Sequence, residues 1–414
     1  RSMWEKIQQV PEKDIWDLKS REREELIDYI KERLSLASTR MMDNPGQMLE
    51  MSTALNKDAL TVGFARRFAT YKRAHLLFRD LERLSKIVNN PEKPVQFFFA
   101  GKAHPRDIPG QDLIKMIVEI SKRPEFLGKI VFLQNYDIQL AKKLVRGVDI
   151  WLNTPTRPLE ASGTSGEKAV MNGTMHFSVL DGWWAEGYRE DAGWMLPIDR
   201  SFDNQQLQDE LDAERIYTLL ENNITEKFYN RNKEDIPLEW VGMIRNTISK
   251  VAPEFTMNRM LRDYIDRFYL KLFDRSKFLK EKENLVPKEL ALWKHRILQH
   301  WKNIKVVEYD FPDVTREEFV VGNTYTGKVV LDLDGLSAHE IGVEMVHTVS
   351  GTGNEAQEFR GKQEFTCTQV EGSRAEYTFV QEVTETGVFD IGFRIYPKHK
   401  DIPHRLDFPL VRWI

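Results

Sequence analysis

The chain contains one cysteine, no long apolar run and little net charge, and each of these absences excludes a class of protein. A lone cysteine, Cys367, cannot form an internal disulfide. No apolar stretch approaches the length that crosses a bilayer, and the opening residues RSMWEK lack a signal-peptide core. A formal net charge of −4 over 414 residues argues against nucleic acid as a partner. We therefore expect a cytoplasmic protein with neither a membrane nor a nucleic-acid partner.

The first part of the chain alternates between strand-like and helical patterns. The whole chain of 414 residues is 41% hydrophobic and can fill more than one core, since single cores stop growing at roughly 250–300 residues. Buried strands are predicted at 60–64, 95–100, 130–133 and 149–153, and helices at about 71–88, 113–120 and 137–145. This order predicts an α/β fold with a doubly wound, Rossmann-like parallel sheet.

In the later part of the chain, the spacing of the apolar residues changes twice. A helical stripe of methionine, leucine and aromatic residues is predicted to be core rather than a cofactor contact, and it comprises Met257, Met260, Leu261, Tyr264, Ile265, Phe268 and Leu272. A second helical stripe follows with Leu290, Trp293, Ile297 and Trp301. After Asn303 the apolar residues recur at every second position, as in 389–396. This alternation predicts an antiparallel β-sandwich. We expect a first domain at 1–304 and the sandwich at 305–414.

The segment from Glu160 to Gly173, EASGTSGEKAVMNG, follows a predicted strand and combines a Gly/Ser/Thr turn with a lysine. Such a turn exposes backbone N–H groups, and the positive end of the next helix dipole points at the same place, which favours a phosphate. Lys168 adds an amine that could form a Schiff base with an aldehyde cofactor. Pyridoxal 5′-phosphate fits both features, whereas a solvated lysine beside an ordinary turn is the structural alternative.

A basic segment, GFARRFATYKR from Gly63 to Arg73, begins at the carboxyl end of the first predicted strand. Parallel α/β sheets bind ligands at that end, and arginine and lysine both bind phosphate. Standing alone, the segment would be interpreted as the solvated start of a helix.

The two segments together resemble the α-glucan phosphorylases, the family of glycogen, starch and maltodextrin phosphorylases. The family's cofactor motif, E-A-S-G-T-x-x-x-K-x-x-x-N-G, is matched at every fixed position from Glu160 to Gly173. The basic segment resembles the family's phosphate-binding hallmark, and AGKAHP from Ala100 and LQNY from Leu133 continue the similarity. The resemblance covers roughly residues 3–300 and is strongest from Thr61 to Trp194.

The resemblance implies a reaction and a role for each matched residue. The reaction would be reversible phosphorolysis of a terminal α-1,4-linked glucose, with the cofactor's phosphate facing the substrate phosphate. The catalytic candidates would be Arg67 and Lys72, which would hold inorganic phosphate or glucose 1-phosphate. No metal is implied. The cofactor candidates are Lys168, Thr164, Ser165, Arg66 and Tyr136, and the substrate candidates are Glu160, Ser162, Gly163 and Lys102.

Three positions depart from the family pattern. Gly166 and Glu167 stand where the family usually has asparagine and methionine, and Asp137 stands where muscle-type enzymes have arginine. These departures indicate a divergent, bacterial-type short phosphorylase. The family's N-terminal lobe, which supplies a histidine over the sugar and most of the glucan cleft, has no counterpart in the sequence. We therefore expect the C-terminal lobe of a GT-B fold, as a fragment that is inactive alone, with its oligomeric state open.

Two alternatives from other classes remain. Retaining nucleotide-sugar glycosyltransferases such as glycogen synthases carry two glutamates eight positions apart, but here Glu160 is followed at that spacing by Lys168. A lysine cannot accept hydrogen bonds from a ribose, so this alternative loses most of its support. The other alternative is a glucan-binding or regulatory module that has kept the fold and lost the reaction.

Overall fold

The computed structural model describes residues 2–41, 45–160, 162–196, 204–312, 320–349, 358–387 and 389–414. The chain forms two compact units, Arg1–Tyr264 and Ile265–Ile414. The domain boundary at 304/305 was predicted from the change in the spacing of apolar residues, and it stays a prediction. It lies just after a helix whose Trp293, Ile297 and Trp301 share a core with the β-strands that follow.

The first unit is built on a six-stranded parallel sheet with the order β3-β2-β1-β4-β5-β6. This order is that of a doubly wound Rossmann-type fold, whose topological switch point lies between β1 and β4. The predicted α/β fold class is therefore confirmed. The strands are β1 (Leu60–Ala65), β2 (Val95–Ala100), β3 (Ile130–Leu133), β4 (Ile150–Asn153), β5 (Met175–Val179) and β6 (Gly193–Leu196).

Both faces of this sheet are covered, because successive side chains of each strand enter different cores. On β2, Phe97 and Phe99 belong to one hydrophobic cluster, whereas Phe98 and Ala100 belong to another. Strands buried on both faces explain the continuous apolar runs in the sequence. The helices of this unit are α1 (Ser2–Glu5), α2 (Glu12–Met41), α3 (Pro45–Ala54), α4 (Leu81–Val88), α5 (Ile108–Ser121), α6 (Ile138–Gly147), α7 (Thr164–Met171), α8 (Trp184–Gly187), α9 (Gln205–Leu219), α10 (Thr225–Tyr229), α11 (Leu238–Asn246) and α12 (Met257–Tyr264).

One predicted helix is shorter than expected. The pattern predicted a helix at about 71–88, but α4 begins only at Leu81, with Asp80 as its N-cap. The preceding residues form two short 3₁₀ turns that meet at Arg73, whose φ is 51°. The buried Arg73 guanidinium donates to the carbonyls of Thr154 and Pro155 and pairs with Asp209, so tertiary contacts outweigh the helical pattern.

The second unit contains the predicted antiparallel sandwich. Its sheets have the orders β11-β12-β8-β7 and β10-β9-β13-β14, and Val329 of the first sheet and Val343 and Ile395 of the second share one core. The helix α13 (Leu270–His300) leaves the helical conformation at 281–284. The strands are β7 (Lys305–Asp310), β8 (Thr324–Asp332), β9 (Ile341–Val349), β10 (Glu358–Glu364), β11 (Thr366–Glu371), β12 (Arg374–Glu382), β13 (Phe389–Pro397) and β14 (Arg412–Trp413).

The predicted stripe beginning at Met257 is helical, but its assignment to the core is wrong. Met257 is 71% exposed, and Leu261 and Leu272 are also exposed. Helical spacing shows that apolar side chains share a face, and it does not show that other residues cover that face. The stripe at Trp293 and Ile297 is buried, as predicted. Within the described ranges, no helix is both long and apolar enough to cross a bilayer.

Candidate functional site

The candidate residues follow the carboxyl ends of the parallel strands. Arg66 and Arg67 come directly after β1, Lys102 comes after β2, and Tyr136 comes after β3. The segment that begins at Glu160 comes after β4. Because β1 and β4 are neighbours at the switch point, the basic segment and the lysine-containing segment reach the same edge of the sheet.

Three of the candidates form one charged cluster, which we call the Glu160 cluster: Glu160, Arg66 and Lys72. Glu160 Oε2 lies 2.5 Å from Arg66 Nη2 and also accepts a hydrogen bond from Lys72 Nζ. All three side chains are at least 89% buried, with exposures of 11, 10 and 8%. Burial raises the pKa of the Glu160 carboxyl, but the Lys72 hydrogen bond and the Arg66 charge outweigh it and hold that pKa below its usual value. The carboxylate is therefore ionised at neutral pH.

Arg66 has hydrogen-bonding capacity that the described residues do not use. Its Nη2 donates to Glu160, whereas Nε and Nη1 are buried without a partner among the residues that the structure describes. Burial lowers the pKa of the guanidinium, against the opposing charge of Glu160. A buried donor without an acceptor costs about 1–3 kcal/mol, more when it is charged. Two such donors on one cation are what an anion-binding site requires.

The lysine-containing segment turns at Gly163 and enters α7. Gly163 has φ 87° and ψ 50°, a left-handed conformation that glycine adopts without strain. Thr164 is the first residue of α7 and is exposed, and Ser165 Oγ accepts a hydrogen bond from Trp151 Nε1 at 3.2 Å. Lys168 is exposed, so its amine is accessible to a small molecule. The first turn of α7 and an accessible lysine thus lie in one short stretch.

The remaining candidates have contacts of their own outside the Glu160 cluster. Arg67 is exposed and donates to Tyr71 Oη at 3.4 Å. Lys102 is exposed, and its carbonyl accepts from the Phe68 N–H at 3.0 Å. Tyr136 packs against a core cluster, and burial raises the pKa of its hydroxyl. Among the described residues, no hydrogen bond or ion pair joins Lys102, Tyr136 or Lys168 to the cluster.

Sequence reasoning missed the residues that hold the lysine-containing segment in place. The Asp181 carboxylate accepts hydrogen bonds from the backbone N–H groups of Glu160 and Gly182. Gly182 has φ +56°, and a Cβ there would lie 2.5 Å from the Ser162 carbonyl oxygen. The Asp181 carboxylate thus holds the backbone at Glu160, and the Trp183 N–H, which donates to the Ser162 carbonyl at 3.2 Å, holds it at Ser162. The Asp-Gly pair after β5 was the only sequence signal for this turn.

The paired tryptophans after this turn pack against the rest of the unit. Trp183 and Trp184 are 5 and 0% exposed, and their ring centroids lie 4.9 Å apart. These two rings are therefore part of the packing of the unit and present no exposed face to a sugar.

Two family models match the chain. The model described as carbohydrate phosphorylase matches residues 15–191, and the model described as glycogen phosphorylase C-terminal domain matches residues 301–414. The first match includes the basic segment and the lysine-containing segment, and the second includes the β-sandwich.

Individual relatives match over longer stretches. A maltodextrin phosphorylase from Thermococcus litoralis is 35% identical over 99% of this chain and 47% of its own length. A glycogen phosphorylase from Aquifex aeolicus is 45% identical over 66% of this chain and 39% of its own length. A glycogen phosphorylase from Mycobacterium bovis is 34% identical over 83% of this chain and 40% of its own length. The chain therefore spans about half the length, or less, of these relatives.

The parallel sheet, the two segments at its switch point and the family models place the chain in the class of carbohydrate phosphorylases. Within that class, it belongs to the α-glucan phosphorylase family, as the motif from Glu160 to Gly173 predicted.

Proposed function

We propose that the chain is the cofactor- and phosphate-binding half of an α-glucan phosphorylase. The whole protein would catalyse reversible phosphorolysis of a terminal α-1,4-linked glucose, with glucose 1-phosphate as the product. The observation that carries this proposal is the Glu160 cluster, in which a buried arginine keeps two unused donors beside the lysine-containing segment. The names and extents of the relatives support the same reaction.

The residues fit pyridoxal 5′-phosphate as the cofactor. A phosphate monoester offers acceptors to Arg66 Nε and Nη1, which have no partner among the described residues. The start of α7 at Thr164 and Ser165 offers a favourable dipole end to the same anion. Lys168 supplies an exposed amine for the aldehyde carbon, and Tyr136 would contact the ring. When bound, the cofactor would supply a phosphate group that assists proton transfer to the substrate phosphate.

The substrate phosphate would lie between Arg67 and Lys72. Arg67 is exposed and can turn towards a ligand, whereas Lys72 is held in place by Glu160 and by Tyr71, whose ring centroid lies 4.5 Å from its Nζ. Two phosphates near each other repel, and the three cations Arg66, Arg67 and Lys72 would make their approach tolerable. The groups proposed to contact the glucosyl hydroxyls are Glu160, Ser162, Gly163 and Lys102.

Glu160 then has two roles in this proposal. In the structure, its carboxylate neutralises two cations that would otherwise be buried together. An arriving phosphate would take over Lys72, and the released carboxylate could accept hydrogen bonds from a sugar.

The proposal is tested by titrating the purified chain with pyridoxal 5′-phosphate. We expect a bound species that absorbs near about 330 nm, where a pyridoxal Schiff base in a dry site absorbs. The Lys168→Ala variant should lack this band. Lys142→Ala, which alters another exposed lysine, should keep it.

The same titration separates the alternatives. If the wild type develops no band and Lys168→Ala changes nothing, the phosphorylase proposal fails and a non-catalytic glucan-binding module is favoured. If the wild type instead binds a nucleoside diphosphate sugar in preference to pyridoxal phosphate, the glycosyltransferase alternative is favoured.

A further inference from the structure

A fully buried histidine lies directly beneath the first turn of α7. His176 is on β5, is 1% exposed, and is paired in register with Trp151 on β4. Met175 and Phe177, its neighbours along the strand, enter one core of the sheet, so the His176 side chain lies on the opposite face. That face carries Trp151, which bonds to Ser165 of α7.

The ring of His176 occupies the place where a side chain at position 166 would begin. A Cβ on Gly166 would lie 2.6 Å from Cε1 and 2.9 Å from each ring nitrogen. Gly166 is not among the described glycines with positive φ, so its backbone does not require glycine. Glycine inside a helix costs about 0.5–1 kcal/mol relative to alanine. The close approach of the histidine ring is therefore the physical reason for a glycine here.

The ring itself is held by aromatic neighbours. Its centroid lies 5.1 Å from Trp183, with the planes 30° apart, and 4.9 Å from Trp184, with the planes 88° apart. Burial lowers the pKa of His176 to about 3, with the Arg66 charge as the next cause and a backbone contact to Trp151 opposing both. The ring is therefore neutral at neutral pH.

One side chain thus contacts the start of the helix that carries Lys168. The ring touches this helix start at Gly166. Both ring nitrogens are buried without a geometrically satisfactory partner among the described residues. A packing residue alone would need no polar atoms there, since phenylalanine fills such a place without unsatisfied groups.

We propose that His176 is a positioning residue for the cofactor phosphate, because its ring, seated against Gly166, fixes the first turn of α7 relative to Arg66. This inference rests on the proposed function, and it explains the departure of position 166 from the family's asparagine. The ring of His176 fills the space that a side chain at position 166 would take, so the histidine and the glycine depend on each other.

The test compares the affinities for pyridoxal 5′-phosphate and for pyridoxal, which lacks the phosphate, by absorbance titration. Damage to the fold lowers both affinities. A displaced start of α7 lowers mainly the affinity for pyridoxal 5′-phosphate, and it therefore lowers the ratio of that affinity to the affinity for pyridoxal. We expect Gly166→Ala to lower this ratio at least about tenfold, the scale of an overpacked site. His176→Ala should also lower it. The double variant Gly166→Ala with His176→Ala should restore the ratio to within about threefold of the wild type. In it, the ring that would clash with the new methyl group is gone, and the methyl group partly fills the space that the ring leaves.

A matched control uses a glycine with the same kind of contact elsewhere. A Cβ on Gly147, at the end of α6, would lie 2.5 Å from Leu26 Cβ. Gly147→Ala should lower the melting temperature and leave the ratio unchanged.

The inference is overturned if Gly166→Ala keeps the wild-type ratio, or if the double variant is no better than the single one. If Gly166→Ala does not fold, His176→Ala alone decides, and an unchanged ratio overturns the inference. A wild type that binds neither compound contradicts the proposed function itself.

Discussion

Two glutamates with little exposure, Glu160 in the first unit and Glu344 in the sandwich, contact two and three cations respectively, but these cations differ in how many unsatisfied donors they keep. Glu344 is 1% exposed and accepts from Arg405 at 2.6 Å and from Arg394 at 2.7 Å. Those arginines are 37 and 26% exposed, so their remaining donors reach water. Arg66, next to Glu160, is 10% exposed and keeps two buried donors without a partner among the described residues.

The difference separates a structural cluster from a binding site. Partners and water satisfy the hydrogen-bonding groups around Glu344, and such a cluster needs no ligand. The cluster around Glu160 is incomplete, and an anion with several acceptors would complete it. A buried carboxylate that contacts several cations therefore does not by itself indicate function, whereas unsatisfied donors on those cations do.

The largest effect should come from removing the unsatisfied cation. We expect Arg66→Met to weaken binding of pyridoxal 5′-phosphate by about 2–5 kcal/mol, the usual cost of truncating one partner of a buried charged pair. Arg405→Met in the sandwich should leave the affinity unchanged. Absorbance titration of both variants measures this, and equal affinities in the two variants would remove the distinction between the clusters.

The satisfied cluster should instead affect stability. Glu344→Ala should lower the free energy of unfolding of the sandwich by about 1.5–3 kcal/mol, since charged hydrogen bonds are lost while the arginines can turn to water. Hydrogen exchange along β9 and β13 measures the change locally, with Glu344→Gln as the variant that keeps the shape. If cofactor affinity falls as well, the cluster is not purely structural.

The two regions should also respond to acid at different pH values. The folded-state pKa of His176 is lowered from 6.5 to about 3, so the unfolded chain binds this proton more readily. Stability of the first unit should therefore fall by about 2 kcal/mol as the pH drops from 6.5 to 4.5. His176→Ala should lose much less over this range. Equal pH slopes for the two proteins would show that His176 does not titrate as described.

The sandwich should resist acid over that range. Burial raises the pKa of Glu344, but the hydrogen bonds from Arg405 and Arg394 outweigh it and hold that pKa below the ordinary value of 4.5. Its stabilising contribution is present above the unfolded value and is lost as the pH falls through the lowered one. Hydrogen exchange as a function of pH distinguishes the two units.

The smallest effects should come from exposed ion pairs in either region. Lys86 pairs with Glu82 in the first unit, and Lys398 pairs with Glu364 in the sandwich, all four side chains being 42–84% exposed. Alanine at either lysine should change the free energy of unfolding by less than about 1 kcal/mol, because solvent screens such pairs. A larger loss in urea unfolding would show that exposure is a poor guide to the strength of these contacts.

The sequence predicted the parts of the molecule that local patterns determine. Apolar runs gave β1 to β4 nearly residue by residue, and the segment from Glu160 to Gly173 gave the turn and the helix of the site. The contacts of Glu160 with Arg66 and Lys72 span 94 and 88 residues, and no local pattern contains them. The contact between the His176 ring and Gly166 likewise depends on how α7 packs over β5, and the sequence pattern of a strand does not show that packing.

The most direct measurement is a borohydride reduction of the chain with bound pyridoxal 5′-phosphate, followed by peptide mapping in a mass spectrometer. Reduction makes the bond between the cofactor and its lysine permanent, so the modified residue is read directly. We expect close to one label per chain, located on Lys168. Label spread over exposed lysines such as Lys142 and Lys102, or no stoichiometric label, would contradict a cofactor site built from the Glu160 cluster and α7.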